Sequence, residues 1–568
     1  MKKKPLSNMI SMKNFSFTYP DTKNESIKNI NLEIQRGETI LITGSTGSGK
    51  STLLKSICGF TPRETGGSSE GELSILENKI SKYSFEKISQ TIGFLFQDCE
   101  NQLICSNVRE ELAFGPRNLG LKKNEILNRI DFALEITKSK KFEFNNCSSL
   151  SGGEKQKIAL ASILSMKPEI LLLDEPTSQL DYEGVKYFIK SITEIKTTYN
   201  PTIIFAEHRN NRIMPITNRL IIMDKGSIVG DYRKKEFSDA YETLNQLKLE
   251  IPAWIEITKK INLHNIRNEE DFLQQSKHLK NKQDFFEQKT ELKNKKSKKS
   301  KKILSVKNIC YSYEKNKSDI FSDISFDLFE GEILAIMGSN GTGKTTLLNL
   351  LSGILQPKQG EIIWFDEKKS SLLSLVGKIG YLFQNPDLML SLDTVEKEIE
   401  FGPKNLKFKK SKINELLQES LDFFKLSTLQ YKNPFSISRG ERLRLAIASL
   451  YSCENQVLIL DEPTGGMNRG IRTIIMDQLK KWVQKKNNNR SIILCTHDTE
   501  SALKYADKTI IMENGKIIMQ GNSDAVISSA YLNKRYIEPP PHAFVSKSLG
   551  HEIIPRTLEI FIRGLQKS

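Results

Sequence analysis

The chain carries one glycine-rich phosphate motif twice, each time at the end of an apolar run, and this duplication limits the fold more than any other feature. ETILIT (38–43) leads into Gly44-STGS-Gly49-Lys50-Ser51, and EILAIM (332–337) leads into Gly338-SNGT-Gly343-Lys344-Thr345. Both fit GxxxxGK[ST], which chance would place once in a chain of this length with a probability of about 2%. The two motifs lie 294 residues apart, as do Met12–Tyr19 and Val306–Tyr313. GFLFQD around Gln97 and GYLFQN around Gln384 lie 287 apart, as do LLLDEPT and LILDEPT. The deficit of 7 falls largely on an insertion near Arg63–Ser69 in the first copy. Two copies of a domain of roughly 260 residues therefore fill nearly the whole chain, too long a period for a solenoid.

Within each copy, short apolar runs alternate with helical spacing. ILLLD and VLILD read as buried strands ending in carboxylates, TIIFAEH and SIILCTH as strands ending in His. RLIIMDKGSIV and KTIIMENGKII read as hairpins turned at DKG and NGK, and 157–164 and 444–451 carry helical apolar spacing. The pattern predicts an α/β fold with a largely parallel sheet and ligands at the strand C-terminal ends. The expected division is residues 1–275, a Lys-rich linker over 276–302, and residues 303–568 with a C-terminal extension from about 525.

The motifs specify phosphate chemistry. Glycines let backbone N–H groups converge on phosphate oxygens at a helix N-terminus, Lys50 and Lys344 neutralise β/γ charge, and the Ser51 and Thr345 hydroxyls suit Mg²⁺. Asp174 and Asp461 supply the Mg²⁺-side carboxylate, and Glu175 and Glu462 are placed to take a proton from an attacking water.

Net charge is +16, from 84 basic and 68 acidic residues. Residues 280–302 hold 10 Lys and 3 acids, and Lys2, Lys3 and Lys4 add three more charges, so the two copies are only mildly basic. The run reads as a solvated linker, with an anionic contact as the sharper alternative. No stretch approaches the ~18 apolar residues of a membrane span, and the start lacks an apolar signal core, which predicts a cytosolic chain. The 7 Cys are scattered without CxxC spacing, against a disulfide framework or structural zinc.

LSGGEKQ (150–156), with Ser151 23 residues before Asp174, narrows the reading. Together with the glutamines, the strand-end histidines and the upstream tyrosines, it makes each copy resemble an ABC ATPase. That resemblance implies two tandem P-loop NTPase domains, each with an antiparallel β subdomain and a helical signature subdomain. It implies that Gly44, Ser45, Gly47, Gly49, Lys50, Ser51 and Thr52 bind ATP, as do Gly338, Ser339, Gly341, Gly343, Lys344, Thr345 and Thr346. Tyr19 and Tyr313 would stack on adenine. Gln97 and Gln384 would join Ser51, Asp174, Thr345 and Asp461 around Mg²⁺, and His208 and His497 would contact the γ-phosphate. In that family two domains pair head to tail, each ATP lying between one phosphate loop and the other domain's signature, here Ser151, Gly152, Gly153 and Glu154 or Ser438, Arg439, Gly440 and Glu441.

The second copy departs from the family pattern twice. Arg439 replaces the first signature glycine, and 465–468 reads GGMN where 178–181 reads SQLD. With head-to-tail pairing both changes fall on the site built on Lys50, Asp174 and Glu175. The site of Lys344 and Glu462, completed by Ser151, Gly152, Gly153 and Asp181, is then expected to be the more regular one. The bland alternative makes Arg439 a neutral variant or an added phosphate contact.

FQDxENQL followed by EELAFGPRNLG resembles the glutamine-loop region of energy-coupling-factor transporter ATPases, whose grooves receive helices of a membrane partner. IEPPPHAFVSKSLG (537–550), LEIPAWIEITKKI (249–261) and Glu207–Arg209 resemble the same fused family. The resemblance implies an ATPase on the cytoplasmic side of the cell membrane. It would drive uptake of a vitamin, precursor or metal ion through a transmembrane (T) component and a substrate-capture (S) component, with no specific nucleic acid. The linker keeps open a ribosome-associated factor of the ABC-F family, and two fused domains a sugar-importer ATPase.

Overall fold

The computed structural model describes residues 8–22, 24–178, 180–263, 266, 268–276, 301–313, 319–367, 372–465, 467, 469–485, 489–532, 537–549 and 553–566. The chain divides into two compact units, 1–274 and 275–568. Most of the Lys-rich run, 277–300, lies outside the described residues.

Unit 1 contains β1 (Asn8–Thr18), β2 (Ile27–Gln35), β3 (Thr39–Gly44), β4 (Ser68–Ile75), β5 (Asn78–Lys79), β6 (Ile92–Leu95), β7 (Ile170–Asp174), β8 (Thr202–Ala206), β9 (Arg219–Asp224) and β10 (Ser227–Arg233). Two sheets form, an antiparallel one in the order β2-β1-β4-β5 and a six-stranded one in the order β10-β9-β3-β8-β7-β6. The six-stranded sheet is parallel except at its β10 edge. TILITG, ILLLD and TIIFA are buried along their whole length, as strands covered on both faces require. The register sets the site: Ile42 pairs with Ala206, and Ala206 pairs with Asp174. The phosphate loop, the acidic pair and the strand-end histidine therefore leave the sheet at one edge.

Unit 2 repeats this with β11 (Lys302–Tyr311), β12 (Phe321–Phe329), β13 (Ile333–Gly338), β14 (Gln359–Trp364), β15 (Ile379–Leu382), β16 (Val457–Asp461), β17 (Ser491–Cys495), β18 (Lys508–Glu513) and β19 (Lys516–Asn522). The sheet orders are β12-β11-β14 and β15-β16-β17-β13-β18-β19, and Ile336, Cys495 and Asp461 form the corresponding row. Both expected hairpins are present. Lys225 and Gly226 (φ 46° and 88°), and Asn514 and Gly515 (φ 46° and 72°), make the two-residue turns, left-handed at both positions as a twisted hairpin prefers.

Helices Val108–Asn118, Lys123–Ile136 and Gly152–Ser165 form the helical subdomain of unit 1, matched by Val395–Asn405, Lys410–Phe423 and Arg439–Tyr451. The C-terminal extension is anchored to unit 2, since Ile537, Ala543 and Ile554 join the apolar core containing β16 and β17. His542 Nε2 lies 2.7 Å from the Pro555 carbonyl oxygen. Among the described residues no helix is long and apolar enough to cross a membrane.

Candidate functional site

β3 ends at Gly44, and the helix Lys50–Ile57 begins directly after the loop with Gly49 at its N-cap (φ 99°). The free N–H groups of its first turn open toward the loop, as phosphate binding needs. Gly44 is required by close approach: a Cβ there would fall 2.3 Å from the Met223 carbonyl oxygen, and one on Gly338 2.3 Å from that of Met512. Lys50 is buried, its Nζ donating to the carbonyls of Gly44 (2.9 Å) and Ser45 (3.1 Å). Burial pushes its ammonium down to about 8, against the pull of Glu175, Asp174 and Glu207. Lys344 makes the same bonds to Gly338 (2.8 Å) and Ser339 (2.9 Å). Gly47 and Gly341 sit within the loops at φ 79° and 78°.

The Ser51 hydroxyl donates to Asp174 Oδ1 at 3.0 Å, and that of Thr345 to Asp461 Oδ2 at 2.8 Å. Burial raises the Asp174 carboxyl to about 6 against the Ser51 hydrogen bond, and burial raises Asp461 in the same sense. Glu175 and Glu462 follow in left-handed backbone (φ 47° and 48°), a sparsely populated region for glutamate. Their N–H groups hold the turn by donating to Ala206 (2.8 Å) and Cys495 (3.0 Å).

The two glutamates are held differently. Gln97 Nε2 donates to Glu175 Oε2 at 2.7 Å, and His208 Nε2 lies 2.8 Å from Oε1, so both carboxylate oxygens are engaged in a buried setting. In unit 2, His497 Nε2 stands 3.3 Å from Glu462 Oε1, and Gln384 is exposed.

In the first turn of each loop helix the Tyr19 hydroxyl lies 3.4 Å from Thr52 Oγ1, and that of Tyr313 3.0 Å from Thr346 Oγ1. Each tyrosine is edge-on to an aromatic two residues earlier, Phe17 at 4.9 Å and Tyr311 at 5.3 Å between centroids.

The signature segments fold as capping boxes. Ser151 donates to Glu154 Oε2 through its N–H (2.9 Å) and hydroxyl (2.8 Å), and Ser438 makes both bonds to Glu441 at 2.8 Å. These bonds start the helices opened by Gly152 and Gly153, and by Arg439 and Gly440. Arg439 is exposed, and its guanidinium makes no ion pair among the described residues. Asp181 caps the helix Tyr182–Thr198 through Gly184 N–H at 2.8 Å, while Gln179, Gly466 and Asn468 lie outside the described residues.

Two groups of residues acquire a role only in the structure. Glu207 is buried and accepts from the Thr177 hydroxyl (2.5 Å), His208 N–H (2.9 Å) and Arg209 N–H (3.3 Å), while Arg212 Nη1 donates to the Thr177 carbonyl at 2.7 Å. It ties the loop after Glu175 to the histidine loop; unit 2 has Thr496 at this position. Glu207→Ala is expected to destabilise unit 1 by about 1–3 kcal/mol in urea unfolding and Glu207→Gln by less, because the orphaned donors stay buried. Glu111 and Glu398 are the second group, both buried. Glu111 Oε2 accepts from the N–H groups of Ile104 (3.0 Å) and Cys105 (2.8 Å), and Glu398 accepts from those of Ser391 and Leu392. The repeated acidic helix carried the signal for both.

The family model described as "ABC transporter" matches residues 27–178 and 321–465, together just over half of the chain. The chain belongs to the ABC transporter family. It is an ATPase with two ATP-binding domains of that family. A relative from Methanosarcina acetivorans, named "Putative ABC transporter ATP-binding protein", is 33% identical over 98% of this chain and 91% of its own length. "Putative HMP/thiamine import ATP-binding protein YkoD" of Bacillus subtilis is 31% identical over 92% of both chains. CbiO1 of Clostridium perfringens, described as part of the ABC transporter complex cbiONQ, is 30% identical and matches 43% of this chain and 99% of its own, with a TM-score of 0.38.

Proposed function

We propose that the chain is the energising ATPase of an energy-coupling-factor-type importer. It binds two ATP and drives uptake of a vitamin, precursor or metal ion through separate transmembrane and substrate-capture components at the cytoplasmic membrane face. The import named for the Bacillus relative supports the direction of transport. The observation that carries the reading is a set of exposed apolar side chains on the segments that follow each glutamine loop. These are Ile104, Phe114 and Phe144 (78% exposed) in unit 1, and Leu388 (76%), Phe401, Tyr431 (78%) and Phe435 in unit 2. Phe114 matches Phe401 and Phe144 matches Tyr431 in the repeat. Such side chains suit the apolar face of an amphipathic helix. In unit 1 these segments follow Gln97, which touches Glu175, so a docked helix can act on the carboxylate.

In the hydrolytic step Lys50 or Lys344 and the loop N–H groups hold the phosphates, and Glu175 or Glu462 accepts a proton from water as its oxygen bonds to the γ-phosphorus; the bond from that phosphorus to the β,γ-bridging oxygen breaks, and ADP and phosphate leave. His208 and His497 orient those carboxylates. The paired hydroxyl and buried carboxylate are hard oxygen donors suited to Mg²⁺, and burial of Asp174 favours a neighbouring cation. Ser51, Asp174 and Gln97, or Thr345, Asp461 and Gln384, would hold the ion, which screens charge on the phosphates.

Affinity purification of the full chain from membranes of its source cells tests the partner claim. Small integral membrane proteins are expected to co-purify, and Phe401→Glu with Tyr431→Glu is expected to remove most of them. Salt-sensitive sedimentation with ribosomes, without membrane proteins, would sink the importer reading in favour of a translation factor.

A further inference from the structure

The two adenine-side tyrosines are supported differently. Gly71 and Gly360 occupy equivalent places, a Cβ on either meeting the backbone of Asn14 or Asn308 at 2.2 or 2.4 Å. Ten residues separate Phe60 from Gly71, but only five separate Ile354 from Gly360, so most of the insertion sits here. The added residues lengthen a β-ladder. In unit 1, β4 follows β1 as far as the Thr18–Ser68 pair, immediately before Tyr19. In unit 2 the pairing of β11 with β14 ends at Cys310–Gln359, three residues before Tyr313.

The insertion is itself fixed in place. Arg63 Nη2 donates to the carbonyls of Ile80 (2.7 Å) and Tyr83 (2.9 Å), and Glu64 N–H to that of Phe60 (2.8 Å). Gly67, at φ 92°, lies against Thr18: a Cβ there would fall 2.2 Å from the Thr18 carbonyl oxygen and 3.1 Å from Phe17 Cζ, on the ring that edges Tyr19. A Cβ on Gly66 would reach Pro20 Cγ at 3.1 Å. The insertion thus contacts the residues on both sides of Tyr19. Tyr19 is half-buried against the core, whereas Tyr313 is 63% exposed.

We infer that the Arg63–Gly67 insertion is a positioning element that presets Tyr19 for stacking on a purine base, so that the unit 1 site binds ATP more tightly through its base than the unit 2 site does. The inference rests on Tyr19 being the adenine platform of the proposed site. A platform ordered before binding gives up less conformational freedom when the base arrives, and base stacking carries a substantial share of affinity. The phosphate loops keep the same glycines and the same lysine bonds in both units, so the proposed difference lies at the base end of the nucleotide.

The test uses the full chain carrying Lys344→Ala, so that titration calorimetry reports unit 1. Deleting Arg63–Gly67, which restores the unit 2 spacing, is expected to raise the Kd for ATP about 2- to 10-fold. Binding of inorganic tripolyphosphate, which has no base, is expected to stay unchanged. Tyr19→Ala is expected to weaken ATP binding, and the deletion is expected to add nothing in that background. If the deletion also weakens tripolyphosphate binding, Gly67→Ala, which presses on Thr18 without shortening the chain, decides in its place. Tyr19→Ala weakening ATP while the deciding variant leaves ATP affinity unchanged would overturn the inference. Tyr19→Ala leaving ATP affinity unchanged would instead overturn the site reading beneath it.

Discussion

Converting Glu175 and Glu462 together to Gln is expected to lower ATP turnover by about 10²–10⁴-fold, the range over which a general base contributes, while ATP binding is retained. An amide keeps the shape of each side chain and cannot take the proton from water. The single variants are expected to be unequal, with Glu462→Gln causing the larger loss. Glu175 has one oxygen bonded to Gln97 and the other to His208, so two of its roughly four acceptor positions are already filled when a water arrives. Glu462 stands farther from its histidine, at 3.3 Å against 2.8 Å for Glu175. Steady-state phosphate release, with nucleotide binding measured in parallel, checks both claims. Equal losses in the single variants would count against unequal sites, and a double variant with substantial turnover would remove the glutamates from the base role.

The duplicated loop was legible because its constraints are local. A strand, a glycine turn and a helix start within fourteen residues leave few backbone solutions, and ILLLD and VLILD state their two-sided burial in composition alone. The strand-end row of Ile42, Ala206 and Asp174 follows once a parallel sheet is assumed. What escaped the sequence depends on pairing across distance. Glu207 reads as one acid in EHR until the fold brings Thr177 to it across 30 residues. Glu111 and Glu398 look like solvent-facing acids of an amphipathic helix, yet both turn inward to satisfy loop N–H groups. The insertion near Arg63 was visible as a length difference, but its effect on the ladder beside Tyr19 is a matter of register, which composition does not encode. The unequal holding of Glu175 and Glu462 is likewise hidden, because the glutamine and histidine are present in both copies.

Asp174→Asn is expected to abolish most turnover at the unit 1 site and at the same time to stabilise the chain. The activity loss, at least about 10²-fold at that site, follows from removing the carboxylate on the cation side of the phosphates. The stability gain follows from burial. Taking the Asp174 carboxylate out of water raises its carboxyl from 3.8 to about 6, so at neutral pH the folded chain holds a charge that the unfolded chain solvates more cheaply. A shift of that size corresponds to about 1–3 kcal/mol, the lower part allowing for the attraction lost by buried Lys50. The sign fixes the pH window. Below about 4 the side chain is protonated in both states and the variant has no advantage. Between about 4 and 6 the folded state retains more protons than the unfolded one, so the wild-type chain loses stability as pH rises. Above about 6 the difference is complete. Urea unfolding without nucleotide and with divalent ions chelated, at pH 7.5 and again near pH 4, measures it. An Asn variant less stable than wild type at pH 7.5, or equally favoured at both pH values, would show that Asp174 is an asset to the fold and not a cost carried for function.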